Sequence, residues 1–284
     1  MTRWPVLVLY QAGRAMARSL ALELAGHIAY TALLAIFPFL IFLAALSGFL
    51  GSGAESLATV EDAVNLLPGD VARTLLPVIR EVLTSRDSGL LTLGLLGALW
   101  VASNCIDALR IALNSAYGFD EPRPWWRVKL SSLGAIVIGA VVFLVLSVVV
   151  VLGPVIWDGL LWLLPLSDSD HWAFGALRYG VAAVVLLGGL LALHCWLPGR
   201  RLALEALLPG VLVTALLWLG AASLFSFYVA NLGNYTATYG SLGGVIITLV
   251  FFYISAVLFI FGAEVNAALL RRQGRMGRKK PVSG

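Results

Sequence analysis

Charged side chains are scarce in this chain: Asp, Glu, Lys and Arg make up 12% of 284 residues, against 60% hydrophobic ones. That balance excludes an ordinary soluble domain, in which about a quarter of the residues carry charge. Cysteine occurs twice and histidine three times. Cys105 and Cys195 both fall in apolar stretches, so they offer no disulfide framework and behave there as small hydrophobes. No His/Cys cluster, Ser/His/Asp set or Gly-rich phosphate loop ending in Lys is present, so the chain is not read as an enzyme and no cofactor or metal is expected.

What is abundant is apolar length. Six stretches, 25–50, 90–117, 130–157, 174–197, 204–228 and 243–270, each reach the ~20 residues that a helix needs to cross ~30 Å of hydrocarbon. The expected fold is an all-α membrane protein, a single transmembrane domain over 1–284 built as a bundle of six transmembrane helices. The first apolar run is too long for a cleavable signal, so the first span is expected to be retained.

Placement of the positive charges sets the expected topology. Of 19 Lys and Arg, three precede the first span (Arg3, Arg14, Arg18), three lie between spans two and three (Arg123, Arg127, Lys129) and two between spans four and five (Arg200, Arg201). Six more lie in the basic tail, 271–284, whereas the opposite loops hold Arg73, Arg80 and Arg86 alone. By the positive-inside rule both termini face the cytoplasm. The tail is read as a topology anchor attracted to anionic lipid, not as a nucleic-acid site.

Between the spans, residues 5–22 carry Val6, Leu9, Tyr10, Gly13, Ala17 and Leu20 on one stripe and Gln11, Arg14 and Arg18 on another, the pattern of an interfacial amphipathic helix. Residues 51–88 form the one long loop, periplasmic in this topology. Two amphipathic stretches there, separated by Pro68-Gly69, predict short helices with solvated acidic faces.

Polar residues inside the spans are the candidates for function. Asn104, Asp107, Arg110 and Asn114 in span two fall within an arc of ~120°, so one face of that helix must look into the bundle or into water. Either this face is a structural ion-pair network or it lines a polar pathway. Glu264 and Asn266 lie in span six. Measured along each helix, Arg110 and Glu264 sit at similar depth, ~10 Å above the inner boundary, so Arg110 is expected to pair with Asp107 or with Glu264. Glu23 and His27, spaced i,i+4, are placed to share a hydrogen bond. The uncharged run 231–240, with Tyr235 and Tyr239, reads either as a re-entrant turn or as an outer loop whose tyrosines join the aromatic belt. Gly240 and Gly244 give a small-residue surface for close helix approach, and Pro38 in span one is a further packing candidate.

Three blocks resemble those of the YihY/BrkB family of bacterial inner-membrane proteins: 29–38 (AYTALLAIFP) in span one, 100–103 (WVAS) with 112–118 (ALNSAYG) in span two, and 239–243 (YGSLG) with 262–267 (GAEVNA) in span six. The similarity runs from about Ser19 to Leu270. It implies a multi-pass protein of the inner (plasma) membrane. Some members have been labelled ribonuclease BN, and one carries an association with virulence through serum resistance. Nuclease activity is not expected here, because metal-dependent hydrolysis needs clustered carboxylates or histidines. The leading expectation is a transporter, exporter or flippase-like carrier of a small or amphipathic molecule. The alternative is a non-transporting envelope scaffold, with a lipid-acting enzyme third. Expected partners are membrane lipids and a small-molecule or lipid substrate, with a homo-oligomer allowed and nucleic acid excluded.

Overall fold

The computed structural model describes residues 4–50, 88–147, 171–231 and 242–274. Seven helices make up nearly all of them: α1 (Trp4–Ala17), α2 (Ala21–Leu50), α3 (Ser88–Tyr117), α4 (Trp125–Ser147), α5 (His171–Trp196), α6 (Leu204–Asn231) and α7 (Leu242–Arg272). Among the described residues there is no strand. Each of the six expected spans falls on one of α2 to α7. The loop 51–87, the end of the third span, Tyr235, Tyr239, Gly240 and the tail from 275 lie outside the described residues.

Length and composition qualify four stretches as membrane-crossing: Leu96–Tyr117, Trp125–Phe143, Leu204–Val229 and Gly243–Arg272. The pair Val6–Ala17 and Ala21–Ile36, bent by 74°, qualifies jointly as a fifth. Among the described residues the count is therefore four to five where six were expected, because the apolar part of α5 described in full, Gly180–Trp196, falls short of the required length.

Outward-facing side chains fit a lipid environment. Val184, Leu216, Leu224 and Phe227 are each about 70% exposed. A continuous apolar exterior of this kind is untenable in water but matches hydrocarbon, where helices satisfy their own backbone groups.

Packing centres on α7, which touches α6, α2, α1 and α3. From Ile260 to Ala268 almost every residue is buried, and four of the nine are Gly or Ala. Gly262 crosses Gly210 of α6 so closely that a Cβ on either would collide with the other helix. Close backbone approach of this type is how membrane helices gain contact without a hydrophobic drive between them.

The stripe on α1 differs from the expected one. Val8, Ala12 and Met16 are buried; Val8 and Ala12 pack on Val265 and Ala268 of α7, and Met16 joins the cluster of α2, α3 and α7. Val6, Leu9, Tyr10, Ala17 and Leu20 face outward. The helix is apolar on both sides: the small-residue side fits the bundle, and the bulky side is left on the surface.

Candidate functional site

The chain leaves α3 by a sharp reversal. Gly118 takes φ of 71°, open to glycine at no steric cost, and Phe119 N–H donates to the Asn114 carbonyl at 2.9 Å, closing a Schellman turn. This reversal carries Glu121 back beneath α3. Its carboxylate accepts five hydrogen bonds: from Arg110 Nη1 at 2.9 Å, Asn114 Nδ2 at 3.2 Å, and Arg123 Nε at 2.7 Å, Nη2 at 2.9 Å and backbone N at 3.2 Å. The Arg123 fork, together with Arg110, holds the Glu121 carboxyl down at about 2, far below its ordinary 4.5.

The same residues bind the neighbouring turn. Arg123 Nη2 donates to the Leu197 carbonyl at 2.7 Å, satisfying the exposed end of α5, and Asn114 Oδ1 accepts from Gly199 N at 2.7 Å. Gly199 has no room for a side chain, since a Cβ there would lie 2.6 Å from the Asp120 carbonyl. Turns 118–124 and 197–203 are thereby laced into one unit around Glu121.

One turn higher on α3 the arrangement opens. Lys129, the fifth residue of α4, reaches across to Asn104 Oδ1 at 2.8 Å and Asp107 Oδ2 at 3.1 Å, with its ammonium 4.5 Å from the Trp100 ring centre. Ser132 Oγ donates to the other Asp107 oxygen. A groove of about 530 Å³ runs along this face, lined by Trp100, Asn104, Asp107, Arg110, Glu121 and Lys129 with three neighbours. Arg110 Nε is buried and, among the described residues, has no hydrogen-bond acceptor.

On the far side of α3, Glu264 lies 3.7 Å from Arg271, which also caps α3 by donating to the Ala116 carbonyl at 2.9 Å. Asn266 bridges three helices. Its Oδ1 accepts from Gly210 N at 2.7 Å, and its Nδ2 donates to the Leu207 carbonyl at 3.0 Å and Tyr117 Oη at 3.4 Å. Gly210 follows Pro209, the residue that interrupts the donor series of α6, so Asn266 stitches a weak point in that helix.

Several expectations need correction. Arg110 pairs with Glu121, not with Asp107 or Glu264, because the reversal at Gly118 returns an acid that a count along the helices assigns to the loop. Asp107 instead takes Lys129, whose long stem carries its charge from the start of α4 into the bundle. Glu23 and His27 are both exposed and share no hydrogen bond; Thr31 Oγ1 bonds the His27 carbonyl instead. Pro38 lies within α2, half-buried, and Gly244 lies in the first turn of α7. Glu121, Arg123, Lys129 and Gly199 escape a sequence reading that looks for charge inside spans. The run Glu121-Pro122-Arg123-Pro124, an acid and a base each followed by proline, is the signal that points to a fixed turn.

With this geometry in hand, the comparisons are specific. The family model described as virulence factor BrkB matches residues 13–283. The chain belongs to that family. A Bacillus subtilis relative named YfkH, whose name calls it ribonuclease-like, is 34% identical over 87% of this chain and 90% of its own. Relatives named as UPF0761 membrane proteins include one from Tolumonas auensis, 29% identical over 92% of this chain and 85% of its own, and one from Pseudoalteromonas translucida, 26% identical over 86% and 80%. No solved structure matches the chain. The chain is thus an integral membrane protein of the BrkB family, and the groove between α3 and α4 is its candidate site.

Proposed function

We propose that this protein is a carrier or flippase-like exporter of an amphipathic molecule, whose polar head enters the groove between α3 and α4 while its apolar part stays in lipid. One observation carries the reading. Asp107, Arg110 and Lys129, the charges that an isolated structural network would seal off, line an open groove of about 530 Å³, and the buried Arg110 Nε has no acceptor among the described residues. A charge in hydrocarbon costs several kcal/mol unless it is partnered, so an open, partnered set is suited to exchanging partners with a passing headgroup. Exposed Trp100 and Trp125 flank the opening, as residues suited to an interface do.

The orientation in this proposal follows from charge: 14 of 19 Lys and Arg fall in sequence before the first span, between spans two and three or four and five, or after the last span, which favours the Glu121 end and both termini in the cytoplasm of a bacterial inner membrane. The reading involves no catalysed reaction. The alternative, an envelope scaffold, draws support from the Glu121 unit, whose hydrogen bonds are those of a brace.

Vesicles reconstituted with the full chain and a panel of fluorescent amphiphiles of both headgroup signs test the proposal. Translocation above empty vesicles is expected for at least one member, reduced about tenfold or more by Asp107→Asn or Lys129→Met while the thermal transition is retained. No translocation of any member, or equal rates in variants and wild type, overturns it in favour of the scaffold.

A further inference from the structure

A second groove lies on the opposite side of Arg123, between the first turns of α4 and the end of α5. It measures about 490 Å³, within the ~300 to 1,000 Å³ range of small-ligand sites, and Arg123, Trp126, Arg127, Trp196 and Arg201 are among its lining residues. Among the described residues no carboxylate lines it. Arg123 is neutralised by Glu121 below, but among the described residues neither Arg127 nor Arg201 has an acidic partner. The Arg127 guanidinium lies 5.0 Å from the Trp126 ring centre, a contact that holds it along the wall. Above these charges the walls turn apolar. Trp126, Leu130 and Trp196 are 50%, 63% and 42% exposed, and they continue the groove onto the outer face of the bundle.

Two uncompensated guanidiniums beneath an apolar track match a ligand that carries a phosphate at one end and hydrocarbon at the other. Guanidinium forks suit phosphate oxygens in geometry as well as charge, and basic pockets between membrane helices are known lipid-headgroup sites. We propose that this groove seats the phosphate headgroup of an anionic membrane lipid, with Arg127 and Arg201 on the phosphate and Trp126, Leu130 and Trp196 along the first part of the acyl chain. A free phosphate compound satisfies the arginines but leaves the apolar track unused, which is why the lipid is the favoured occupant. The site stands apart from the Asp107–Lys129 groove and does not depend on transport.

The test is lipid retention by the purified full chain in detergent, read by native mass spectrometry with phosphatidylglycerol and phosphatidylcholine at equal concentration. Wild type should retain phosphatidylglycerol roughly tenfold better or more. Arg127→Gln/Arg201→Gln should bring the two lipids within about threefold of each other, whereas Arg14→Gln/Arg272→Gln, which removes the same charge elsewhere at this end, should keep the preference. Should the first double variant fail to fold, the single variants Arg127→Gln and Arg201→Gln, each expected to lower the preference about threefold, decide the matter. Equal retention of both lipids by wild type overturns the proposal. So does an equal loss in the control variant, which reduces the effect to general surface charge. Displacement of the lipid by equimolar inorganic phosphate marks the site as one for free phosphate and overturns it too.

Discussion

Replacing Glu121 by glutamine keeps the side-chain shape and removes its charge. The consequence can be worked out from the five donors that converge on it. A carboxamide has one oxygen and one NH2, so of the bonds from Arg110, Asn114 and Arg123 about half face a donor after the change. Arg110 and Arg123 cannot discharge, and their side chains are only 16% and 24% exposed. Breaking a fully buried pair costs about 3 to 5 kcal/mol; with this residual solvent the expected loss is about 2 to 3 kcal/mol. Arg110→Ala should cost less, since Glu121 keeps the Arg123 fork. A pH series adds an independent check. The Glu121 carboxyl is held at about 2 in the folded protein against an ordinary 4.5, so its stabilisation is complete above about 4.5 and drains away as pH falls toward 2. Thermal unfolding in detergent between pH 7 and 3 should therefore show wild type losing its advantage over Glu121→Gln as the pH drops. A Glu121→Gln protein that melts with wild type at pH 7, or a gap that widens on acidification, refutes the argument.

Gly262→Ala should destabilise by about 2 to 3 kcal/mol or abolish folded yield, because its Cβ meets Thr214 and the Gly210 carbonyl, while Gly26→Ala, with nothing within 4 Å, should be neutral in the same melts. Asn266→Leu removes three hydrogen bonds, each worth about 0.6 kcal/mol on the membrane average, for a loss of about 2 kcal/mol read by the same transition. A cysteine placed at Ser283 should react with a membrane-impermeant thiol reagent only after the cells are opened, and labelling from outside would reverse the proposed orientation.

The helices were legible from apolar run length alone, since a chain that must satisfy its backbone in lipid has little choice but helix. The shared face of Asn104, Asp107, Arg110 and Asn114 was legible too, because spacing fixes it. Their partners were not. Glu121 lies eleven residues beyond Arg110 in a loop, and only the left-handed turn at Gly118 brings the two together. Lys129 reads as a boundary charge in sequence, yet its flexible stem lets a residue near the start of α4 neutralise an acid deeper in the bundle. On α1, bulk and fit compete: the stripe with the larger hydrophobic side chains is the outward one, and the buried one is set by the small residues that α7 admits.

The two halves of the α3 face differ in how readily their locks can open, and this bears on function more than their common polarity does. Arg110 and Asn114 are held by a carboxylate on a turn pinned by Pro122, Pro124 and Gly199, with Arg123 gripping it through a planar fork, so releasing any one contact disturbs several others. Asn104 and Asp107 share one ammonium on a four-carbon stem, with a Ser132 hydroxyl on the other Asp107 oxygen. Lysine is a point charge with rotatable donors, and it can exchange one acceptor for another without moving the backbone. In the proposed carrier, a headgroup entering beside Trp100 would meet Lys129 as that exchangeable donor, with the Glu121 unit as the floor beneath it. A bundle that needed only bracing gains nothing from leaving its upper pair open and movable, which is why the difference between Lys129 and Arg123 weighs toward passage over support.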